Sequence, residues 1–585
     1  MPPICISVTG NTPEELLESA RRAFDYSRFV ELRLDWLPNV TLALPLIPDL
    51  LESSSQPSGM NIRPPLRLTA RRQTQRLAGT PVLQATCRRQ ANGGRFAGDV
   101  AEQVEVLKRA AAAGCHVLDL EIESAEAAGL AAVEQLRLQA LVIVSWHDFH
   151  GTSGLQTAVR RLRQLPADYY KLVTTATRQT DNCAALHVLS SVASKEPTRK
   201  RWIVFCMDQA GIPSRVLALS RGSAFVYASR PQGNPGIEPA LIPLRRTKGM
   251  SKPVIGEIAQ GTHAGTTSAE LPSAEPAAPG QIGFQTLRDV YRAEKLTLQT
   301  RIYGLVGYPI GHSIGAAIHN AAFRSKKLNA VYLPLLTSDV KDFWRAANRY
   351  PLAGFSVTIP HKQKILRLVD RADSVAKLAG AANTVRYRRQ WEATNTDVEG
   401  IVAPLRKSLH LKETEPVGSE FRTVVIGTGG AARAALVALG KLGCRAVVIT
   451  GRNPVKASGL AAAWRGRVIA LQELEHEHFE LMIHATSVGM WPHAEQCLLR
   501  PEQIDADIIF DLVYNPAETR LLQIARQRRC QTISGLEMFL EQAARQFEYW
   551  TGVDAPRRLM RKTAEHELAR FLNDSAVAEG QRAES

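Results

Sequence analysis

Short apolar runs alternate, along the first half of the chain, with stretches whose apolar positions recur every three to four residues. The runs fall at residues 4–8, 29–35, 82–88, 116–123, 141–147, 169–173, 202–207 and 224–228, and each reads as a buried strand. Between them, residues 14–26, 101–113 and 125–138 carry Ala, Leu and Glu at helical spacing. Eight strands each followed by a helix predict a (β/α)₈ barrel, whose chemistry sits at the C-terminal ends of the strands. The polar residues follow that rule. Glu31, Arg33 and Asp35 alternate with Leu32, Leu34 and Trp36 and so share one strand face, while Arg88, Asp119, Glu121, His147 and Lys171 lie within or at the ends of later strands.

The pattern changes between residues 277 and 313. A Pro/Gly loop ending in Gln281 reads as a lid, an amphipathic helix is expected at 284–298 from Leu287, Val290 and Tyr291, and a buried strand then runs into the turn Gly307-Tyr-Pro-Ile-Gly-His-Ser313. A small α/β unit follows, holding Gly354-Phe-Ser-Val-Thr-Ile-Pro-His-Lys362, Gly380-Ala-Ala-Asn-Thr384 and Thr394-Asn-Thr-Asp397. The strand at 422–426 then meets Gly427-Thr-Gly-Gly-Ala-Ala-Arg-Ala434, a helix and a second strand at 446–450. That order is the strand, glycine turn and helix N-terminus that receives a pyrophosphate. The second strand ends in Thr450-Gly-Arg-Asn453, with Lys456 beyond, where an NAD site would place an acid. A guanidinium there argues for the 2′-phosphate of NADP.

With 585 residues the chain exceeds what one core supports, and three ordered domains are expected: 1–297, 300–405 and 406–572, followed by a disordered tail at 573–585. Residues 53–80 and 230–273 are rich in Ser, Pro, Gly, Arg and Thr without a periodic apolar face, and read as insertions in the barrel. The eight cysteines form no CxxC pair, so reduced core thiols are expected over a metal or disulfide framework. No apolar run is long enough to span a bilayer and the N-terminus enters a strand at once, so a cytoplasmic enzyme is expected. The formal net charge of +16 is spread thinly, which favours anionic small molecules over nucleic acid.

A lysine inside Tyr169-Tyr-Lys-Leu-Val173 either pairs with a carboxylate or serves as an amine nucleophile toward a carbonyl, with a strand-end histidine to move protons. Glu31-Leu-Arg-Leu-Asp35, Thr86-Cys-Arg88 with Gly93-Gly94, His147-Asp-Phe-His150, Lys171, Gly211-Ile-Pro-Ser-Arg215 and Pro279-Gly-Gln281 together resemble type I 3-dehydroquinate dehydratase. The resemblance implies a Schiff base from Lys171 to the substrate ketone, His147 as proton carrier, and Glu31, Arg33, Arg88, Arg215 and Gln281 around the substrate. Asn92 and Ala277 depart from that family's usual residues.

The second half resembles shikimate dehydrogenase as far as Gly535-Leu-Glu-Met-Phe-Leu-Glu-Gln-Ala543. That resemblance implies Lys362 and Asp397 as the catalytic pair, Ser313, Thr358, Asn383, Tyr514 and Gln542 around the substrate, and NADP at Gly427, Gly429, Gly430, Ala431, Arg452, Thr486 and Met538. Gly315 stands where that family pairs a second serine for the substrate carboxylate, so a weaker hold is expected. Dehydration of 3-dehydroquinate followed by reduction of 3-dehydroshikimate to shikimate is the joint expectation, without metal, nucleic acid or membrane, and with a homodimer through the barrel. Three other readings stay open: a quinate dehydrogenase, a dehydrogenase with a silent barrel, and a non-catalytic quinate-responsive regulator.

Overall fold

The computed structural model describes residues 1–53, 80–196, 200–230, 280–311 and 313–583, with side chains as far as Phe571. The expected insertions at 53–80 and 230–273, together with Ala277, lie almost wholly outside these residues. By compactness the chain divides into one unit of Met1–Trp146, Val159–Lys171 and Ala224–Gln285, and a second of His147–Ala158, Leu172–Ser223 and everything from Thr286 onward.

The first eight strands are β1 (Ile4–Val8), β2 (Phe29–Arg33), β3 (Val82–Thr86), β4 (Val117–Glu121), β5 (Leu141–Asp148), β6 (Tyr169–Thr175), β7 (Trp202–Met207) and β8 (Val226–Ser229). They form one sheet in the order β7-β6-β5-β4-β3-β2-β1-β8, a nearly closed barrel. The pairings from β8 through β1 to β5 are parallel. Strands buried along their whole length, such as β1 and β2, explain the unbroken apolar runs. Helices between them are capped by their own sequence: Thr12 accepts from Glu15 N, and Asp99 and Glu102 form a reciprocal capping box.

Three expectations need correction. Residues 125–138 form two helices, Ile122–Ala128 and Leu130–Arg137, because Gly129 between them takes φ 82°. Residues 284–298 form a wide five-residue turn, Thr286–Val290, and a short 3₁₀ turn, Ala293–Lys295, interrupted by Arg292 at φ 52°. Residues 573–583, expected as disordered, continue the helix Arg557–Ala583, in keeping with their alanine and glutamate content.

In the second unit, β9 (Arg301–Gly307), β10 (Ala330–Leu336), β11 (Gly354–Val357), β12 (Arg371–Ala372), β13 (Thr384–Arg388) and β14 (Gln390–Thr394) build a mixed sheet ordered β10-β9-β11-β13-β14-β12. A second sheet holds β15 (Arg422–Ile426), β16 (Ala446–Thr450), β17 (Arg467–Val468), β18 (Phe479–His484), β19 (Ala506–Asp511) and β20 (Gln531–Ile533) in the order β17-β16-β15-β18-β19-β20, all parallel. Strand order reverses between β15 and β18, which opens a crevice at their C-terminal ends. The helix Gly535–Thr551 joins the two cores: Phe547 and Trp550 pack with Tyr303 and Phe323, while Met538 belongs to the core around β15 and β18.

Within this unit the helix Gln179–Lys195, which follows β6, is capped from elsewhere in the chain. Asp342, 1% exposed, accepts from Gln179 N at 2.9 Å, Thr180 N at 3.3 Å and Thr180 Oγ1 at 2.7 Å. Gln179 Nε2 donates to Leu336 O at 2.7 Å, at the end of β10. A buried carboxylate with three donors is costly to remove, because the donors are left without water. Asp342→Ala is expected to destabilise the chain by roughly 1–3 kcal/mol in urea denaturation, and Asp342→Asn, which keeps one acceptor, by less.

Candidate active sites

The strand ends of the first unit carry a set of buried, paired polar groups. Lys171 Nζ lies 2.6 Å from Asp119 Oδ2, with side-chain exposures of 6% and 0%, and 4.3 Å from the centre of the Tyr227 ring. Burial works against the charged form of Asp119. The Lys171 ammonium and the Arg88 guanidinium outweigh it and hold the carboxyl below its usual range. Glu31 accepts from Gln84 Nε2 at 2.9 Å, from Thr86 Oγ1 at 2.7 Å and from Ser7 Oγ, and Tyr227 Oη donates to Gln84 Oε1 at 3.1 Å.

The arginines differ in their partners. Arg33 forms a two-pronged pair with Asp35, at 2.9 and 2.8 Å, across the end of β2. Asp35 therefore lies on the turn Leu34–Trp36 and folds back, instead of continuing the strand face as the alternation predicted. Arg88 donates to Glu121 at 3.3 Å, and Gln103 holds the other Glu121 oxygen at 2.6 Å. Asn92 Nδ2 donates to Glu123 at 2.8 Å. Gln281 is half-buried beside Ile282, whose carbonyl accepts from Ser229 N at the end of β8. In the second unit His147 sits near the end of β5 and stacks on Phe149 at 6.1 Å. Arg215 is 2% exposed, donates to Cys206 O at 3.0 Å and lies over Phe205; burial pulls it down to about 10.

A cleft of about 1240 Å³ opens between the two sheets of the second unit, and every residue expected at the substrate or the cofactor of the dehydrogenase lines it. Lys362 Nζ meets Asp397 Oδ2 at 2.5 Å, with side-chain exposures of 17% and 5%. Asn383 Nδ2 holds Asp397 Oδ1 at 2.7 Å, and Asn383 Oδ1 accepts from Thr396 N at 2.8 Å. Gln546 accepts from Ser356 Oγ at 2.9 Å and donates to Asn383 O at 3.3 Å, and Tyr332 Oη donates to Ser356 at 2.8 Å. A bonded chain thus runs from β10 to Asp397. Gly400 lets this happen: a Cβ there would meet Met538 O at 2.8 Å and Gln542 Cβ at 3.1 Å, so only glycine lets the helix carrying Gln542 approach Asp397. Tyr514 stacks on Phe539 at 4.2 Å, and burial raises its phenol to about 12.

The sequence reading missed Asp119 as the partner of Lys171, and Tyr332, Ser356, Gln546 and His319 in the cleft. Asp119 carried a signal, a charge in the apolar run Val-Leu-Asp-Leu-Glu121. His319, stacked on Tyr332 at 4.6 Å and pulled down to about 3 by burial, carried none beyond its helix.

The glycine turn after β15 fits a dinucleotide. Gly427 takes φ +131°, where a Cβ would strike Ala485 O at 2.7 Å, while Gly429 has open space before it. The helix Gly430–Lys441 directs its free N–H groups at that space. Gly430 brings the turn against Lys362, whose Cδ would lie 3.2 Å from an added Cβ. Arg452 is exposed at the rim of the cleft beyond β16, with Lys456 beside it.

The type I 3-dehydroquinase family model matches residues 4–250. The models for the shikimate dehydrogenase substrate binding domain and the shikimate 5′-dehydrogenase C-terminal domain match residues 305–385 and 535–565. A bifunctional 3-dehydroquinate dehydratase/shikimate dehydrogenase, chloroplastic, from Arabidopsis thaliana is 29% identical over 95% of this chain and 83% of its own length. A shikimate dehydrogenase (NADP(+)) from Microcystis aeruginosa is 38% identical over 45% of this chain and 96% of its own, and one from Synechocystis is 36% identical over 47% and 98%.

The depressed Asp119 sets the sign of an acid effect. A carboxyl held low in the folded chain contributes fully above its unfolded value, about 4, and its contribution is lost as pH falls through the folded value. Asp119→Asn is expected to cost about 3–5 kcal/mol near neutral pH, and its deficit against wild type should shrink only below about pH 4 in urea denaturation.

Proposed function

The chain belongs to the shikimate dehydrogenase family and carries a type I 3-dehydroquinase domain ahead of it, and we propose that it converts 3-dehydroquinate to 3-dehydroshikimate and then reduces that product to shikimate with NADPH. The observation that carries the second step is the Lys362 ammonium, its side chain only 17% exposed, clamped by Asp397 and pressed against the Gly430 turn.

In the first step Lys171, held by Asp119, is the nucleophile, and the proton its ammonium gives up leaves in the water expelled on condensation. The free amine condenses with the substrate C3 ketone, expelling water. The resulting iminium acidifies C2, His147 removes the proton there and returns it to the C1 hydroxyl, which leaves as a second water. Hydrolysis of the imine restores Lys171 and releases the enone. Glu31, Arg33, Arg88, Arg215 and Gln281 are assigned to the substrate hydroxyls and carboxylate.

For the second step, NADPH held at the turn 427–431 would supply hydride. Lys362 polarises the ketone oxygen and gives it a proton, while Asp397, fixed by Asn383, keeps Lys362 in place and bonds the adjacent hydroxyl. Ser313, Thr358, Tyr514 and Gln542 surround the ring. Gly427, Gly429, Gly430, Ala431, Thr486 and Met538 are assigned to the dinucleotide and Arg452 to its 2′-phosphate. All eight cysteines are free thiols, which supports a reducing, cytoplasmic compartment. Among the described residues no helix is long and apolar enough to cross a membrane.

The test is to follow enone absorbance from 3-dehydroquinate before and after adding NADPH. Lys171→Ala should abolish enone formation and spare reduction of added 3-dehydroshikimate. Lys362→Ala should do the reverse, lowering kcat of reduction about 10²–10⁴-fold. Loss of both activities in either variant would count against two separate sites. Gly315 bears on the carboxylate: a Cβ there would lie 3.2 Å from Ser313 Oγ and in ordinary contact with Tyr332 at 3.6 Å, so a serine fits with a small shift. Gly315→Ser should lower the KM for 3-dehydroshikimate about three- to tenfold; an unchanged or higher KM rejects the weaker hold.

A further inference from the structure

Behind the dinucleotide side of the cleft a buried pair that the mechanism above does not use, Asp511 and His484, ends on Thr486, the residue assigned there to the dinucleotide. In the parallel register of β18 and β19, His484 stands opposite Asp511, each at the C-terminal end of its strand. His484 is 1% exposed and Asp511 0%. His484 Nδ1 lies 2.8 Å from Asp511 Oδ1, and His484 Nε2 lies 2.6 Å from Thr486 Oγ1. Asp511 Oδ1 also accepts from Val513 N at 3.1 Å, and Asp511 Oδ2 accepts from Thr519 Oγ1 at 2.5 Å. Thr486 Oγ1 in turn accepts from Val488 N at 3.2 Å. Its methyl group faces the Gly427 turn, 3.4 Å from where a Cβ would stand, and the residue lines the cleft.

The hydrogens along this chain can be assigned from its ends. The Asp511 carboxylate is an acceptor for Val513 N–H and Thr519 O–H, and so takes His484 at Nδ1 as a third donor. In the tautomer that carries its proton on Nδ1 alone, the imidazole offers Nε2 as an acceptor, and the Thr486 hydroxyl spends its one proton there. With Val488 N–H on one lone pair, Thr486 has a single lone pair left and no proton to give. Toward the cleft it is an acceptor only.

We propose that Asp511 and His484 are positioning residues that fix the Thr486 hydroxyl as a hydrogen-bond acceptor for a donor group of the dinucleotide, a carboxamide N–H or a ribose O–H. The inference rests on the cleft taking NADPH, as proposed above. A plain fastening of the loop after β18 would use the same bonds, but it would make no demand on the direction of the Thr486 proton.

The test is a fluorescence titration of the full chain with NADPH, alongside steady-state reduction and thermal unfolding. Thr486→Val should weaken NADPH about three- to tenfold without altering the KM for 3-dehydroshikimate. His484→Asn reaches Asp511 but not Thr486, and should weaken NADPH alike. His484→Gln, whose amide oxygen takes the place of Nε2, should restore affinity to within about twofold. The double variant Thr486→Val with His484→Asn should be no weaker than either alone, because both remove one interaction. Additive losses, or a lowered Tm with NADPH affinity intact in Thr486→Val and His484→Asn, would overturn the relay and leave a fastening. A 3-acetylpyridine analogue, which lacks the carboxamide donors, assigns the donor: the Thr486→Val effect vanishes with it for the carboxamide and persists for a ribose hydroxyl. A wild-type chain that reduces 3-dehydroshikimate only with another donor, and does not bind NADPH, would overturn the cofactor reading and the relay with it.

Discussion

A lysine ammonium withdrawn from water has to be paired, and this chain meets that constraint twice on two unrelated folds. Lys171 and Asp119 meet at 2.6 Å in the barrel, and Lys362 and Asp397 at 2.5 Å in the cleft. Burial alone would neutralise such groups or exclude them. In both places the aspartate is the more buried partner, so the acid is fixed and the amine is left nearer the space where a substrate would sit. The pairs hold each lysine in register while it waits, and each can yield when a carbonyl competes for it.

The surroundings of the two pairs differ because the folds deliver partners differently. At the barrel the neighbouring polar groups come from successive parallel strands, which is why Ser7, Gln84 and Thr86 converge on the one carboxylate of Glu31. In the cleft the support comes from one long helix that crosses both cores. Gln542 and Gln546 project from it, and the missing side chain of Gly400 sets how near it lies to Asp397. A single close approach therefore governs the geometry of several polar contacts at once.

The glycine turn at Gly427 shows a similar economy. Its left-handed backbone brings the chain against Ala485 at the point where strand order reverses. The same reversal places the ends of β18 and β19 beneath the turn, and the Asp511–His484–Thr486 chain occupies that position. Two adjacent parallel strands can align an acid and a histidine side by side only because their register is fixed by the backbone ladder.

Periodicity alone determined the eight barrel strands and the later strand–turn–helix, because buried parallel strands read as unbroken apolar runs and a helix N-terminus needs glycine where phosphate approaches. Lys171 likewise named its chemistry as a charge set in an apolar run and Arg452 by standing where an NAD site would place an acid, whereas Lys362 and Asp397 were legible only through the resemblance their motifs carry. Local breaks were less legible: Gly129 and Arg292 split helices that spacing alone had made continuous. Partnerships were not legible at all. Asp119 lies 52 positions from Lys171, Gln546 lies 163 from Asn383 and Asp342 lies 163 from Gln179. Such pairs are set by strand register and helix packing, which bring together groups that no local pattern connects. Only the tertiary structure decided them.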